Sequence, residues 1–205
     1  RLINVDRSVV LSFGGADRQL REIRLEASIT TISANMFAGC SALETITLPD
    51  TVTGIADSAF ENCSALRTVE MPQSLRAIGS YVFKNCTALE SVFVPDAVTS
   101  IGRSAFSGCA SLVTAVLPAG LTSLGINAFQ HCGALETVNL PEGLTEIGGC
   151  TFQNCASLGS IVIPDGVTAI ADLAFCNDNS VQQVFIPASC TEICDNAFVS
   201  CGSLK

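Results

Sequence analysis

The sequence has 205 residues, a formal net charge of −9 and only 10 Lys and Arg residues. A surface that binds nucleic acid needs clustered basic residues to displace counterions, so this composition argues against a nucleic-acid partner. The hydrophobic fraction is 48%. However, Pro, Thr and Gly interrupt every apolar run before it reaches the ~20 residues that cross a bilayer, so we predict no membrane insertion of this segment.

A period of 23 residues runs through the chain. A Pro stands twelve positions after each of the first seven members of a Phe series, and these prolines are all that the sequence contains. The Phe series comprises Phe37, Phe60, Phe83, Phe106, Phe129, Phe152, Phe175 and Phe198. A fixed period of this size is typical of a solenoid, in which units too small to fold alone stack and share one core.

Residues 1–33 follow the repeat only loosely. Gly14 stands where the Phe is expected and Glu26 where the Pro is expected. Because terminal repeats are often atypical, we interpret this segment as a degenerate N-terminal repeat. Residues 34–205 then form about seven regular repeats, of which the last is truncated. We therefore predict a single solenoid array over residues 1–205.

Each regular unit has three predicted parts. The segment Leu89-Glu90-Ser91-Val92-Phe93-Val94 alternates with the period of a strand, which sends Val92 and Val94 inward and Phe93 outward. Pro95 cannot donate a ladder hydrogen bond and ends the strand. A second short strand is expected at the following L-T-x-I segment. The A-F-x-x-C-x-x-L segment has apolar residues three apart and is predicted to form a single helical or 3-10 turn with its Phe inward.

The cysteines follow the same period. The sequence contains 11 of them, and most occupy the position three residues after the Phe, where Asp178 is the exception. Stacking places such thiols side by side at ~4.8 Å, whereas a disulfide needs Cβ atoms ~3.5–4.5 Å apart and turned toward each other. We therefore predict a ladder of buried free thiols. Four other cysteines could pair, and the odd total leaves at least one thiol free. These four are Cys150, Cys176, Cys190 and Cys194.

The unit L-x-x-V-x-L-P-x-x-L-T-x-I-G-x-x-A-F-x-x-C resembles the BspA-like leucine-rich repeats, from Ala34 to Lys205. Ordinary leucine-rich repeats carry Asn or Cys in place of the proline and lack the A-F-x-x-C block. The resemblance implies a right-handed, curved superhelix. Its longer strands would form a parallel β-sheet on the concave face, with short second strands and single helical turns on the convex side. Asp178, Val181 and Cys190 depart from the pattern, so irregular stacking is expected in the seventh unit.

The resemblance also implies a function. Members of this family are mostly surface or secreted proteins of host-associated bacteria and some protists, linked to adhesion to matrix proteins or cells. No catalytic role is known for the repeats. We accordingly predict no enzyme activity, no catalytic residue, no cofactor and no metal site.

The candidate binding residues are those that the repeat leaves free. The second outward position of the longer strands is apolar in several units, on a face expected to meet water. β-Propensity alone explains such residues equally well, but exposed apolar patches mark interaction sites and solenoids bind on their concave face. The predicted partner-binding set is Phe93, Val116, Asn139, Val162 and Phe185, with Glu70 and Glu90.

Two patterns invite a chemical interpretation and do not support it. His131 precedes Cys132, as in a Cys–His nucleophile, but its position in other units holds Gly, Asn or Ser, which is typical of a turn. Cys190 and Cys194 lack the second pair of ligands that a zinc site usually has. The run from Asn177 to Asn179 has oxygen ligands but no bidentate Glu at calcium-loop spacing.

We hypothesise a non-enzymatic protein-binding or adhesion module, part of a cell-surface or secreted protein. Its partner would be a host or neighbouring-cell protein of extracellular-matrix type, or a glycan. Two alternatives stay open: a structural spacer that binds nothing, and a cytoplasmic scaffold, which a ladder of free thiols would suit. The chain begins at Arg1 and ends partway through a unit, so we interpret it as a segment of a longer protein.

Overall fold

The computed structural model describes the backbone of residues 2–5 and the backbone and side chains of residues 20–205, which wind as stacked coils. Each regular coil has a first strand, which we call the longer strand and which has three residues or more except at Thr137–Val138, and a second strand of two residues. The longer strands are β1 (Leu2–Val5), β2 (Glu22–Leu25), β4 (Thr45–Thr47), β6 (Thr68–Glu70), β8 (Ser91–Phe93), β10 (Thr114–Val116), β12 (Thr137–Val138), β14 (Ser160–Val162) and β16 (Gln183–Phe185). The two-residue strands are β3 (Thr31–Ile32), β5 (Gly54–Ile55), β7 (Ala77–Ile78), β9 (Ser100–Ile101), β11 (Ser123–Leu124), β13 (Glu146–Ile147), β15 (Ala169–Ile170) and β17 (Glu192–Ile193).

The strand pairs are parallel, and each strand pairs with the strand at the same position of the next coil. The offset between paired strands is 23 residues from Glu22 to Thr45, but 20 residues from Leu2 to Glu22. The paired strands β1 and β2 are thus three residues closer in the sequence than β2 and β4 are (23 − 20 = 3). Gly14 lies outside the described residues, so the single array over residues 1–205 stays a prediction.

The predicted inward and outward faces of the longer strands are confirmed. Val92 and Val94 are 2% and 6% exposed, whereas Phe93 between them is 65% exposed. A tight turn follows the proline, because the Val98 N–H donates to the Pro95 carbonyl at 3.0 Å. This turn leads into the short strand β9, and the same arrangement recurs in the other regular coils.

The core is built around the periodic Phe residues. Their rings stack from Phe37 to Phe198 with neighbouring centroids 5.1 to 5.7 Å apart. The rings from Phe37 to Phe175 are fully buried. Since one coil supplies one ring, each Phe from Phe60 to Phe175 packs between the rings of its two neighbours, and no coil completes its core alone.

The segment between the short strand and the next longer strand differs from the prediction. Successive tight turns replace the expected helical or 3-10 turn. Two residues of each regular unit before the last have positive φ, such as Tyr81 (60°) and Asn85 (59°), and this left-handed conformation interrupts a helix. Backbone N–H groups alternate between two acceptors: Phe83 donates to Ala105 of the next coil at 2.7 Å, and Cys86 donates back to Phe83 at 3.1 Å.

The expected irregularity of the seventh unit is not found. β14 and β16 pair in register, β15 and β17 do the same, and the rings of Phe175 and Phe198 stack at 5.1 Å. The strand pairing is interrupted earlier in the chain, between β6 and β8, between β12 and β14, and between β11 and β13. The longer strands form three sheets, β1-β2-β4-β6, β8-β10-β12 and β14-β16, and the short strands form two, β3-β5-β7-β9-β11 and β13-β15-β17.

No segment of the described residues forms a helix with the length and apolar character needed to cross a bilayer.

Candidate interaction surface on the longer strands

The outward side chains of the longer strands include one row that we call the strand-face row. It comprises Glu70, Phe93, Val116, Asn139, Val162 and Phe185, each from a successive coil. Phe93 and Val116 are register partners, and so are Val162 and Phe185. Phe93, Val162 and Phe185 are 65%, 63% and 57% exposed. The row therefore presents two apolar pairs to solvent, with Asn139 between them.

The neighbouring row on the same strands is polar. It consists of hydroxyl side chains from β4 to β14 and ends at Gln183. The hydroxyl members are Thr45, Thr68, Ser91, Thr114, Thr137 and Ser160. Glu70, at the start of the strand-face row, accepts a hydrogen bond from Thr47 at 3.1 Å. Within the longer strands, the large apolar side chains that are exposed therefore belong to the strand-face row.

Charged pairs flank the strand face. Arg21 contacts Glu44 at 3.1 Å and Arg67 contacts Glu90 at 2.9 Å, and in each pair the Arg precedes the Glu by one coil. All four side chains are at least half exposed, so each pair contributes only about 0–1 kcal/mol to stability. Glu90, a predicted partner-binding residue, therefore already has a cationic neighbour.

The side chain of Asn139 makes two hydrogen bonds to the backbone of Leu117, just after strand β10. Its side-chain amide donates to the Leu117 carbonyl at 2.7 Å and accepts from the Leu117 N–H at 2.8 Å. At the same position of another coil, the Val94 N–H donates to the backbone carbonyl of Val116 instead. Because the side chain of Asn139 takes over this contact, β12 ends at Val138, one residue earlier than its neighbours. Sequence analysis missed this role, although Asn is depleted in strands.

A groove of about 410 Å³ opens where β12 ends, between β12 and β14. It is lined by apolar groups, by the polar residues Thr137, Asn139 and Ser160, and by two exposed glutamates, Glu136 and Glu142. The apolar lining residues are Val138, Leu140, Val162 and Pro164. Val162 belongs to the strand-face row, so the groove is continuous with the predicted binding surface.

The thiol ladder is buried as predicted. Cys40, Cys63, Cys86, Cys109, Cys132 and Cys155 have no exposed surface. Each ladder thiol from Cys63 to Cys155 donates a hydrogen bond to the backbone carbonyl of the Phe that lies 26 residues earlier in the sequence. Cys86, for example, donates to Phe60 at 3.2 Å. Burial raises the pKa of Cys86 and Cys109 well above the ordinary thiol value. Thiols held in the neutral form make poor nucleophiles and poor metal ligands.

Asp178 occupies the ladder position of a thiol and is fully buried. Its Oδ1 accepts from the Cys155 N–H at 2.7 Å, whereas Oδ2 has no hydrogen-bond partner among the described residues. Burial raises the pKa of Asp178 to about 8, and the hydrogen bond from Cys155 partly opposes this. The side chain therefore points into the core and is not a calcium ligand of a surface loop.

His131 and Cys132 are arranged as parts of a turn. His131 is exposed with φ of 61°, while the Cys132 thiol is buried and donates to the Phe106 carbonyl at 3.2 Å. Burial raises the pKa of Cys132, which is the opposite of what a nucleophile needs. In the described part of the chain, no three His, Cys, Asp or Glu side chains are grouped as a metal site.

Stacked parallel strands, one ring per coil and a buried thiol ladder define a leucine-rich-repeat solenoid. The family model for the BspA type leucine rich repeat region (6 copies) matches residues 12–133 and 77–205, and the chain belongs to this family. No curated protein matches the chain.

Solved structures with this fold come from several bacteria. A leucine-rich repeat protein from Bacteroides ovatus is 27% identical with a TM-score of 0.80, and the match covers 100% of this chain but only 59% of that protein. A T. pallidum leucine rich repeat protein is 27% identical with a TM-score of 0.66, covering 90% and 78% of the two chains. A leucine rich cell surface protein from Faecalibacterium prausnitzii, 23% identical with a TM-score of 0.58, shares the fold over 100% and 81%.

Proposed function

We propose that this chain is a non-enzymatic binding module of a cell-surface or secreted protein, which contacts a host or neighbouring-cell protein through the strand-face row. The surface location is inferred from the character of the BspA-like family. The repeat array supplies a rigid strand face, and residues outside the core pattern select the partner.

One observation carries this proposal: Phe93, Val162 and Phe185 are each more than half exposed. Leaving large apolar side chains in water brings no gain in folding, and contiguous exposed apolar groups mark interaction sites. Aromatic side chains are enriched at the centres of protein interfaces. A spacer that binds nothing would have no use for these groups on a face otherwise lined by hydroxyls.

The test is a binding assay with immobilised collagen, fibronectin, fibrinogen and laminin, in which the unmodified chain is compared with the double variant F93S/F185S. Both Phe side chains are exposed, so the variant should fold normally. We expect at least tenfold weaker binding to the protein that the unmodified chain binds. Enzymatic deglycosylation of that protein distinguishes a protein partner from a glycan partner.

The matched control is Ile126→Ser. Ile126 is a large apolar residue that is 41% exposed, and it lies in the turn segment away from the longer strands. Its replacement should leave binding unchanged. Equal binding by F93S/F185S and the unmodified chain would exclude the strand face. Failure of the unmodified chain to bind any of the four proteins would favour the structural spacer.

A further inference from the structure

Two neighbouring coils share no strand pairing. The coil with β11 and β12 meets the coil with β13 and β14, and neither the short nor the longer strands pair across this contact, which we call the open interface. At the other interruption, between β6 and β8, the short strands β5 and β7 are still paired. Between residues 20 and 205, the open interface is therefore the one place where both kinds of sheet are interrupted.

Backbone hydrogen bonds beside the strands are missing at the same interface. In the other regular coils, three N–H groups next to the strands donate to the preceding coil. One coil after the open interface these bonds are each 2.9 Å long, and they run from Thr168 to Thr145, from Ala171 to Ile147 and from Gln182 to Gly159. At the same repeat positions one coil earlier, the N–H groups of Thr145, Gly148 and Gly159 make no backbone bond to the preceding coil in the described part of the chain.

The open interface also has a space on each of its two strand sides. The groove of about 410 Å³ lies between the longer strands β12 and β14, and a cleft of about 180 Å³ lies between the short strands β11 and β13. The ring stack is widest here, because the centroids of Phe129 and Phe152 are 5.7 Å apart, compared with 5.1 to 5.4 Å for the other neighbours. Pairing, hydrogen bonds and ring spacing thus agree that these two coils are separated on both strand sides.

The turn segments hold the two coils together on the third side. Their backbone bonds run from Asn127 to Gly149 at 3.0 Å, from Phe129 to Thr151 at 2.9 Å and from His131 to Gln153 at 2.8 Å. The side-chain amide of Gln130 donates to the side chain of Gln153 at 2.6 Å, and the Cys155 thiol donates to the Phe129 carbonyl at 3.2 Å. A contact that is continuous on one side and open on the other two has the geometry of a hinge.

We propose that the open interface is a hinge, about which the coils up to β12 and the coils from β13 onward bend as two blocks. The axis of bending runs along the bonded turn segments. Gly148 and Gly149 lie where β13 leads into the later turn segment, and small residues are common at hinges. Since each coil of a solenoid contacts only its neighbours, one weakly joined interface is enough to divide the array.

The hinge divides the strand-face row. Phe93 and Val116 lie before it, and Val162 and Phe185 lie after it. Strand register fixes each apolar pair within its own block, so bending changes the distance between the two pairs and leaves each pair intact. This device goes beyond the proposed function, which requires only that the row is exposed.

Double electron–electron resonance between two nitroxide labels tests the hinge. The labels are attached to p-acetylphenylalanine, so that the native cysteines stay unlabelled. One chain carries them in place of the exposed residues Thr68 and Gln183, on β6 and β16, and the matched control carries them in place of Glu22 and Thr137, on β2 and β12. Both pairs span five coils, about 24 Å at ~4.8 Å per coil. Both cross the interruption between β6 and β8, but only the first pair crosses the open interface.

We expect the distance distribution between positions 68 and 183 to be at least twice as broad as that between positions 22 and 137. The label sites share one repeat position, so the motion of the labels themselves contributes equally to both widths. Equal widths would show that the open interface is as rigid as the rest of the array and would overturn the proposal.

Amide hydrogen exchange of the unmodified chain, measured by NMR, gives a second test that needs no substitution. The amides of Thr145 and Gly148 should exchange at least tenfold faster than those of Thr168 and Ala171, after correction for intrinsic rates, because weakly bonded regions open more often. Equal protection at the two sets of positions would mean that the interface is closed in solution, and would also overturn the hinge.

Both measurements use the free chain, so the hinge and the proposed function can fail separately. If the two distance distributions differ and F93S/F185S leaves matrix-protein binding unchanged, the chain has a hinge but the strand face is excluded as the interface. If the distributions are equal and F93S/F185S abolishes binding, the strand face is the interface on a rigid array and the hinge is wrong.

Discussion

Asp178 is the residue at which the repeat departs most from its own pattern. A carboxyl replaces a neutral thiol in the core ladder, and one of its oxygens lacks a hydrogen-bond partner among the described residues. Burying an ionised carboxylate without a partner is costly, so the protonated form is favoured in the folded chain. The pKa of Asp178 is accordingly raised from 3.8 to about 8.

The raised pKa predicts a pH-dependent stability. Between pH 4 and 8 the folded chain binds more protons at Asp178 than the unfolded chain, so the free energy of unfolding falls as the pH rises. Relative to Asp178→Asn, which does not titrate, the unmodified chain should lose up to about 1.4 kcal/mol per pH unit. Denaturant titrations at pH 5, 6, 7 and 8 measure this difference.

The control for this series is Asp178→Cys, which restores the side chain of the other ladder positions and should also lack the pH dependence. Measurements stop at pH 8, because the thiols of the unfolded chain begin to ionise above it. A difference between the unmodified chain and D178N that is the same at pH 5 and pH 8 would show that Asp178 ionises freely in the folded state.

At the scale of the elements, the Phe residues of the ring stack from Phe37 to Phe175 are buried, whereas those on the longer strands are exposed. Phe129 is fully buried between the rings of Phe106 and Phe152, at 5.3 and 5.7 Å. Phe93 lies on β8 and faces solvent. The same residue type therefore packs in the core at one position and is exposed to solvent at the other.

This contrast predicts unequal costs of truncation. Phe129→Ala leaves a cavity in the stack and should lower the free energy of unfolding by about 3–5 kcal/mol. Phe93→Ala should change it by less than about 0.5 kcal/mol, as is usual for an exposed side chain. Denaturant unfolding of the two variants measures both values. Similar losses in the two would mean that Phe93 packs against the coils.

The strands, their faces and the turn at the repeat position of His131 could be predicted from the sequence, and the second left-handed turn position of the unit could not. Alternation of apolar residues fixes which side of a strand is buried, and Phe93 was placed outward on that basis alone. The left-handed turn residues Asn35, Tyr81 and Leu173 share a repeat position but no residue type. Their conformation follows from coil-to-coil bonds, such as that from the Tyr81 N–H to the Arg103 carbonyl, which no local pattern reveals.

The candidate site likewise has one part that could be predicted from the sequence and one part that could not. The strand-face row follows from the repeat period, because each member stands at one fixed position of the unit. The groove does not, because it opens where β12 and β14 do not pair. The side chain of Asn139 replaces a backbone contact to Leu117 on the other side of β12, and the Asn within an apolar row is the only sign of that contact in the sequence.

For the whole molecule, the stacking of the coils determines whether the ladder cysteines are buried and which groups their thiols contact. Buried thiols at successive coils donate to backbone carbonyls, as Cys109 does to Phe83 at 3.2 Å, rather than facing one another. Their raised pKa values keep them protonated and slow to react. The redox state of the chain in its native setting stays a prediction, because it depends on the compartment.

Alkylation with a maleimide, followed by mass spectrometry, tests this arrangement. Without reductant, the ladder thiols from Cys40 to Cys155 should stay unmodified in the native chain and react after denaturation. The half-exposed Cys190 and Cys194 should react in the native chain and provide an internal control. Ladder cysteines that react only after reduction would show that disulfides form, and would argue against the cytoplasmic scaffold.

Site-specific photocrosslinking tests most directly whether the strand-face row contacts the partner. Benzoylphenylalanine replaces Phe93, Phe185 or, as a control, Ile126, and each chain is irradiated with the matrix protein that it binds. Crosslinks from positions 93 and 185 and none from position 126 are the predicted result. Crosslinks from position 126 alone would place the interface on the turn side of the solenoid and contradict the account.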